Sequence, residues 1–358
     1  MDKKNKNPNV PNLRFLKFNQ NYETLQLKNT LKIKSGKDQK QVEVENGIYN
    51  IYGTGGIIGH TNTFLYDKES VGIGRKGTID KPVYFDQPFW TVDTLFYSEI
   101  YEGFIPKYIF YLFQTINWKK YNTSTGVPSL TSSSIENIEK SFPCYDEQLK
   151  VANFLTMIDM RIETQIKIID DYNSLKMGIY NWMFKENYAD YKLKQLAYIV
   201  KGDQINNDQL LSNGSYYMMN GGTSPSGYLD SYNVSENTIS ISEGGNSCGY
   251  VQFNSSPFWS GGHCYTIQNV NSALIENKYL YHYLKHKEKE IMNLRIGTGL
   301  PNIQKKDLEN FTIFVPSLLI QRKNLALFEM LDEKICILNE ELERLEMQKK
   351  YLLRNMFI

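Results

Sequence analysis

Two stretches decide how this chain is built: TGVPSLTSSSIENIEKSFPCYDEQLKVANFLTMID at residues 125–159 and TGLPNIQKKDLENFTIFVPSLLIQRKNLALFEMLD at residues 298–332. At a constant offset of 173 residues, Thr125 matches Thr298, Gly126 matches Gly299 and Pro128 matches Pro301. The same offset pairs Glu136 and Asn137 with Glu309 and Asn310, Pro143 with Pro316, Gln148 with Gln321, Asp159 with Asp332 and Phe184 with Phe357. It runs through some 60 residues without a gap, which is the mark of an internal duplication. Upstream the match is looser. LKNTLKIKSG (27–36) resembles LKQLAYIVKG (193–202) at offset 166, and PFW at 88–90 meets PFW at 257–259 at offset 169. A drifting offset means small insertions in loops carried by a shared scaffold. The period is far too long for a solenoid.

Each copy ends in a helix. Phe328, Leu331, Ile335, Leu338, Leu342, Leu345 and Leu352 alternate steps of three and four, with Lys349 interrupting, beside the charged run EELERLE. The first copy gives Leu155, Ile158, Ile162, Ile166, Ile169 and Tyr172 at similar steps. A helix of about 35–40 residues is on the order of 55 Å long and must bury its apolar stripe. The economical partner is the other copy, packed antiparallel as a coiled coil. The segments between read as short strands and Gly-rich turns, with strands at 48–52, 70–73, 83–85, 216–219, 238–241 and 250–253. Helices are expected at matching places, 105–114 and 277–286. The expected fold is therefore α+β: two similar mixed α/β domains, 1–143 and 188–315, joined by two long helices, 144–187 and 316–358, that form an antiparallel coiled coil.

Composition narrows the function. Hydrophobic content of 41% and charged content of 22% are those of a globular protein, while aromatics reach 13% through 26 Tyr and 18 Phe. Net charge is only +1, so a grip on a phosphate backbone would need help from partner subunits. Residues 1–142 hold 18 Lys/Arg against 14 Asp/Glu, and residues 188–315 hold 10 against 11. Cys144, Cys248, Cys264 and Cys336 form no CxxC pair, which suits free thiols in a reducing cytoplasm. The polar opening MDKKNKNPNVPNL lacks a secretory h-region, and no apolar run approaches the roughly 18 residues of a membrane span. A soluble, cytoplasmic protein is expected.

Several chemistries lack their motifs. There is no Asp/Asn-Pro-Pro-aromatic string of an adenine methyltransferase and no GxxxxGK[ST] phosphate loop. GIGRKG (72–77) does not open a helix of a βαβ unit. His282 and His286, four apart on an expected helix, lack a third metal ligand and are assigned to a solvated face. His263–Cys264 could suggest a nucleophile, but the other copy carries Thr94–Leu95 there, and no catalytic role is expected. Trp90 and Trp259 are assigned to cores.

With the repeat in hand, the chain resembles type I restriction–modification specificity subunits over essentially its whole length. The residues carrying the resemblance are PNLRFLKF (11–18), YGTGGIIG (52–59), GIGRKGTID (72–80) and PFWTVDT (88–94) in the first half. The second half has NGGTSPSG (220–227), ISEGGNSCG (241–249) and PFWSGGH (257–263), and both halves have a TG[VL]P loop and a P-x₄-Q entry to the long helix. Tyr22 stands where a Trp is common, a mild departure. The resemblance implies a non-catalytic subunit whose two target-recognition domains bind double-stranded DNA at a split, asymmetric sequence. It implies two methyltransferase subunits and two restriction subunits as partners. S-adenosylmethionine, ATP and Mg²⁺ would belong to those partners, so no cofactor is expected in this chain.

Reading bases needs side chains that reach base edges in the major groove, presented on loops whose backbone can come close. In the first domain the candidates are Thr54, His60, Arg75, Lys76, Thr78, Lys119, Lys120, Ser124 and Thr125. In the second they are Asn220, Thr223, Ser224, Glu243, Asn246, Ser247, Arg295, Thr298 and Asn302. Two other classes stay open at this point: a non-catalytic coiled-coil adaptor whose duplicated domains bind protein or glycan, and a nuclease with a cryptic site.

Overall fold

The computed structural model describes residues 10–184, 188–297, 299 and 301–358. The chain divides into two compact units, one built from residues up to Ile166 with Glu340–Ile358, the other from Lys167–Asn339. Each long helix therefore contributes one stretch to each unit.

In the first unit, Leu31–Ser35, Leu95–Ile100, Ser70–Gly74 and Val83–Phe85 form an antiparallel four-stranded sheet in that order. The sequence LKIKS alternates as a half-buried strand should: Leu31 and Ile33 point into the core, while Lys32 and Lys34 point outward. SVGIG (70–74) lies inside the sheet and is buried on both faces. A mixed three-stranded sheet follows the order Gly56–Thr61, Tyr49–Gly53, Phe89–Thr91. The helix Pro106–Thr115 opens on a proline, which the first helical turn tolerates because its N–H has no partner there. It buries Tyr108, Ile109, Tyr111, Leu112 and Phe113 against Val71, Ile73 and Phe96. Full burial of an aliphatic chain such as Ile109 or Leu112 stabilises by about 1.5–3 kcal/mol.

The second unit repeats the plan strand for strand. Its four-stranded sheet runs Tyr198–Lys201, Cys264–Gln268, Thr238–Ser242, Val251–Asn254, and its smaller sheet Gly227–Leu229, Tyr216–Met219, Trp259–Ser260. Asn277–His286 takes the place of Pro106–Thr115. Each unit also has a two-stranded antiparallel pair, Glu23–Gln26 with Glu139–Phe142 and Ala189–Lys192 with Thr312–Val315.

The long helices are Tyr145–Met183 and Leu318–Met356, 39 residues each and matched end for end at the repeat offset. In the first unit Val151, Ala152 and Leu155 share a core with Leu352 and Met356, while Met160 and Thr164, further on, line one groove with Glu341 and Leu345. One helix segment rises as the other falls. In the second unit Lys176 pairs with Asp332 and the Tyr180 ring meets Phe328 at 4.6 Å, again antiparallel. The P-x₄-Q entry gains a physical meaning. Buried Gln148 accepts from the Ile105 N–H at 3.1 Å and donates to the Pro143 carbonyl at 3.0 Å. Buried Gln321 does the same with Glu276 N–H and the Pro316 carbonyl, both at 2.8 Å. Each glutamine thus ties the cap of a domain helix to the start of a long helix.

Three expectations need correction. The first helix seam passes through buried Gln165, and Ile166 is exposed, because strict alternation of three and four from Ile162 lands on 165. His282 does not lie on a solvated face. It is buried, with its Nδ1 2.8 Å from the Tyr180 hydroxyl, and half-buried His286 stacks edge-on to the same ring, since this helix face packs against Tyr180, Phe184 and Phe328. Trp90 is buried with Ile51 and Val92, but Trp259 is only half-buried; its indole N–H still donates to Asp203, as that of Trp90 does to Lys37.

Candidate nucleic-acid interface

In each unit three loops meet at one end of the four-stranded sheet. The first unit brings together the hairpin tip at Thr54, the turn after Ser70–Gly74, and the loop 122–130. Thr94 carbonyl accepts from the N–H groups of Arg75 at 2.7 Å and Lys76 at 3.2 Å. Arg75 carbonyl accepts from Leu130 N–H, and Pro128 carbonyl from Gly77 N–H, both at 2.9 Å. Asn122 Oδ1 closes the later loop by accepting from the N–H groups of Ser124 at 3.1 Å and Ser129 at 2.9 Å. Gly77 sits at φ +86°, a left-handed conformation costly for other residues, and a Cβ there would lie 3.9 Å from Thr54 Oγ1. Gly74 has no room for a side chain, because a Cβ would fall 1.9 Å from the Thr78 carbonyl.

The second unit repeats three of these backbone bonds with different side chains. Glu243 N–H donates to His263 carbonyl at 2.9 Å, Ile303 N–H to Glu243 carbonyl at 2.9 Å, and Gly245 N–H to Pro301 carbonyl at 3.0 Å. Gly245, at φ +76°, is the counterpart of Gly77. The isolated bridge of Lys76 with Ser129 recurs as Gly244 with Asn302. Glu243 therefore occupies the position that Arg75 holds in the first unit. An invariant backbone frame carries opposite charges.

Their surroundings differ accordingly. Arg75 is half-buried; Nη1 donates to the Asp93 carbonyl at 3.3 Å and the guanidinium lies 5.9 Å from the Phe96 ring centre. Among the described residues no carboxylate pairs with it: Asp80 pairs instead with Lys119, at 3.2 Å and largely in solvent, where such a pair is worth little. Glu243 is buried. Its Oε1 accepts from Lys201 Nζ at 2.6 Å and Tyr265 hydroxyl at 3.0 Å. Burial, and then the bond to Glu243, holds the Tyr265 hydroxyl pKa well above its ordinary value. A cleft of about 530 Å³ opens beside it, lined by Lys201, Asn220, Gly244, His263 and Asn302 among others. Asn220 Oδ1 anchors one wall by accepting from His263 N–H at 3.0 Å.

The structure thus gathers Thr54, Arg75, Lys76, Thr78, Ser124 and Thr125 around one frame, and Asn220, Glu243 and Asn302 around the other. Lys76, Thr125 and Lys120 are exposed, Lys120 within the short turn Trp118–Tyr121. His60 is exposed but pairs with Asn50, at the end of its strand away from the Thr54 tip. Thr223, Ser224, Asn246 and Arg295 are exposed on neighbouring loops and Ser247 is half-buried. Thr298 lies outside the described residues. Lys201 and His263 were not among the residues expected to read DNA, although Lys201 lies in the repeat match LKQLAYIVKG and His263 ends the PFWSGGH string. Cys264 is buried, and burial pushes its thiol up to about 11, which keeps it protonated and a poor nucleophile. No group of three or more His, Cys, Asp or Glu among the described residues is arranged to hold a metal ion, and no described helix is long and apolar enough to cross a membrane.

Comparison with known proteins agrees with this architecture. A Mycoplasma pneumoniae protein named as a type I specificity subunit is 34% identical over 158 residues, covering 44% of this chain and 42% of the relative. A Mycoplasma genitalium protein of the same name type is 32% identical over 127 residues, covering 36% of this chain and 33% of the relative. The matches thus span less than half the length of these two relatives. The crystal structure of a type I restriction-modification system S subunit from M. genitalium superposes with a TM-score of 0.71 at 20% identity, over 98% of this chain and 99% of that one. It shares the fold. The family model described as type I restriction modification DNA specificity domain matches residues 19–170 and again residues 185–347. Both copies of the duplication fall within that model, and the chain belongs to the type I restriction modification DNA specificity family.

Proposed function

We propose that the chain is the sequence-specific DNA-binding subunit of a type I restriction–modification complex, each unit reading one half of a bipartite, asymmetric target. The observation that carries this reading is the matched pair Arg75 and Glu243. One backbone frame, held by the same hydrogen bonds in both units, presents a guanidinium in one and a carboxylate in the other. A core has no use for that variation, whereas a base reader does: guanine offers acceptors in the major groove, and cytosine and adenine offer amino donors. The frame also lets backbone approach closely, through Gly77 and Gly245 in conformations that glycine adopts freely.

A net charge of +1 supports a shared grip on DNA. Two methyltransferase subunits and two restriction subunits would supply the remaining phosphate contacts, together with S-adenosylmethionine, ATP and Mg²⁺ and all bond-making and bond-breaking. This chain would position them without catalysing a step, in the cytoplasm where the DNA is. The test is co-purification with the products of adjacent genes, followed by duplex binding and methylation mapping of the assembled complex. The expected result is a split motif with unlike halves; an assembled complex that binds no duplex even at low salt would overturn the proposal.

A further inference from the structure

We infer that Glu243 is a base-reading acceptor of the second unit, placed to receive the exocyclic amino group of a cytosine or adenine; this rests on the DNA-reading role proposed above. Glu243 carries an unmet bond. Glu243 is 7% exposed, and its two oxygens are treated unequally. Oε1 is filled by Lys201 and Tyr265. Oε2 is buried and meets no hydrogen-bond donor among the described residues; His263 Nδ1 stands 3.7 Å away, too far for a hydrogen bond. A buried acceptor left unsatisfied is costly, and natural folds seldom keep one without a use for it.

The scaffold does not require an acid here. The same turn closes around Arg75 in the first unit with three matching backbone bonds, so the carboxylate is not what forms it. What the acid adds is a fixed acceptor beside the cleft with Asn220 and Asn302. Lys201 and Tyr265 hold the carboxylate in one rotamer, so Oε2 has a defined aim. The ligand must bring a donor. Phosphate is excluded because it is an anion, and guanine and thymine turn only acceptors to the major groove at N7, O6 and O4. Cytosine N4 and adenine N6 are the base groups that fit. His263 stands beside Oε2 with a side chain 61% exposed, free to turn aside when a base edge enters.

The experiment uses the complex assembled with its modification subunits and duplexes carrying the mapped target. At each cytosine or adenine of the second half-site, the amino group is deleted in turn, with 2-pyrimidinone replacing cytosine and purine replacing adenine. One position is expected to lose about tenfold in affinity or more. In Glu243→Gln the amide oxygen stays with Lys201 and Tyr265, which turns an amino donor toward the cleft. That variant is expected to lose the penalty at the same position and to shift its preference there toward guanine or thymine, with the first half-site unchanged. His263→Ala should retain the wild-type preference. The inference is overturned if no amino deletion matters, if Glu243→Gln keeps the wild-type preference at every position, or if His263→Ala abolishes it. Should the Gln variant fail to assemble, the deletions on the wild-type complex decide alone. A wild-type complex that binds no duplex sinks the parent proposal, and this one with it.

Discussion

Lys349 donates to Asp159 across 2.7 Å in the first unit, and the repeat counterparts of those two residues, Lys176 and Asp332, form the same pair in the second. The duplication thus places the same ion pair in each antiparallel helix segment. In the first unit Tyr111 hydroxyl also donates to Asp159, at 2.7 Å; in the second, His282 stands in its place, 4.0 Å from Asp332. Polar pairs in a helical seam fix register at some cost in stability.

Lys349→Ala is expected to destabilise the first unit by about 1–2 kcal/mol, between the values of surface and buried pairs because both side chains are only about one-fifth exposed. The double change Lys349→Met with Asp159→Asn should recover most of the loss, since no lone charge is then left in the seam. Urea unfolding of the three proteins measures this. Equal losses in the single and double variants would show that the pair contributes no coupling.

Gln148→Ala should cost about 1–3 kcal/mol, by leaving Ile105 N–H and Pro143 carbonyl buried without partners. Gln321→Ala should do the same in the second unit through Glu276 and Pro316. Denaturation midpoints near the wild-type value would mean that water or a backbone shift replaces the amide.

Acid should weaken the second unit first. Burial pushes His282 down to about 4, Asp332 opposing and Lys176 reinforcing that shift, whereas an unfolded histidine titrates near 6.5. The unfolded chain therefore binds a proton before the folded one. Stability is full above about pH 6.5, falls as pH drops toward 4, and levels off below, with a slope of up to about 1.4 kcal/mol per pH unit. Urea midpoints from pH 4 to 8 should show this slope in wild type and lose it in His282→Gln. A variant with the same slope would assign the effect to other groups.

Arg75→Ala should relax base preference at one position of the first half-site, by about tenfold or more. Lys76→Ala should weaken binding to all sequences alike and lower its salt dependence, because a phosphate contact carries no base information. Methylation of a library randomised in both half-sites separates the two. If Arg75→Ala keeps every preference but melts earlier, its contacts to the Asp93 carbonyl and the Phe96 ring are its whole role.

Much of the architecture was legible because periodicity reports burial. The helix seams, the tandem plan and the P-x₄-Q entries all appear in the sequence as fixed spacings. Ile166 misled because an apolar residue stood one step off a seam that buries Gln165. His282 misled because its neighbours on the buried face, Tyr180 and Phe328, come from the two long helices, far away in sequence. The equivalence of Arg75 and Glu243 was hidden by drifting loop lengths and emerges only from their shared backbone partners. Glu243 was legible as a polar loop residue, but not its burial, which depends on Lys201 and Tyr265 from two other strands.

Two independent readers on one repeated frame should be exchangeable one at a time. Exchanging residues 188–315 for the corresponding part of a relative and mapping methylation by the assembled complex tests this most directly. One half-site is expected to change to that of the donor while the other stays as it was. A motif in which both halves change together, or a palindromic motif in the unaltered protein, would contradict it.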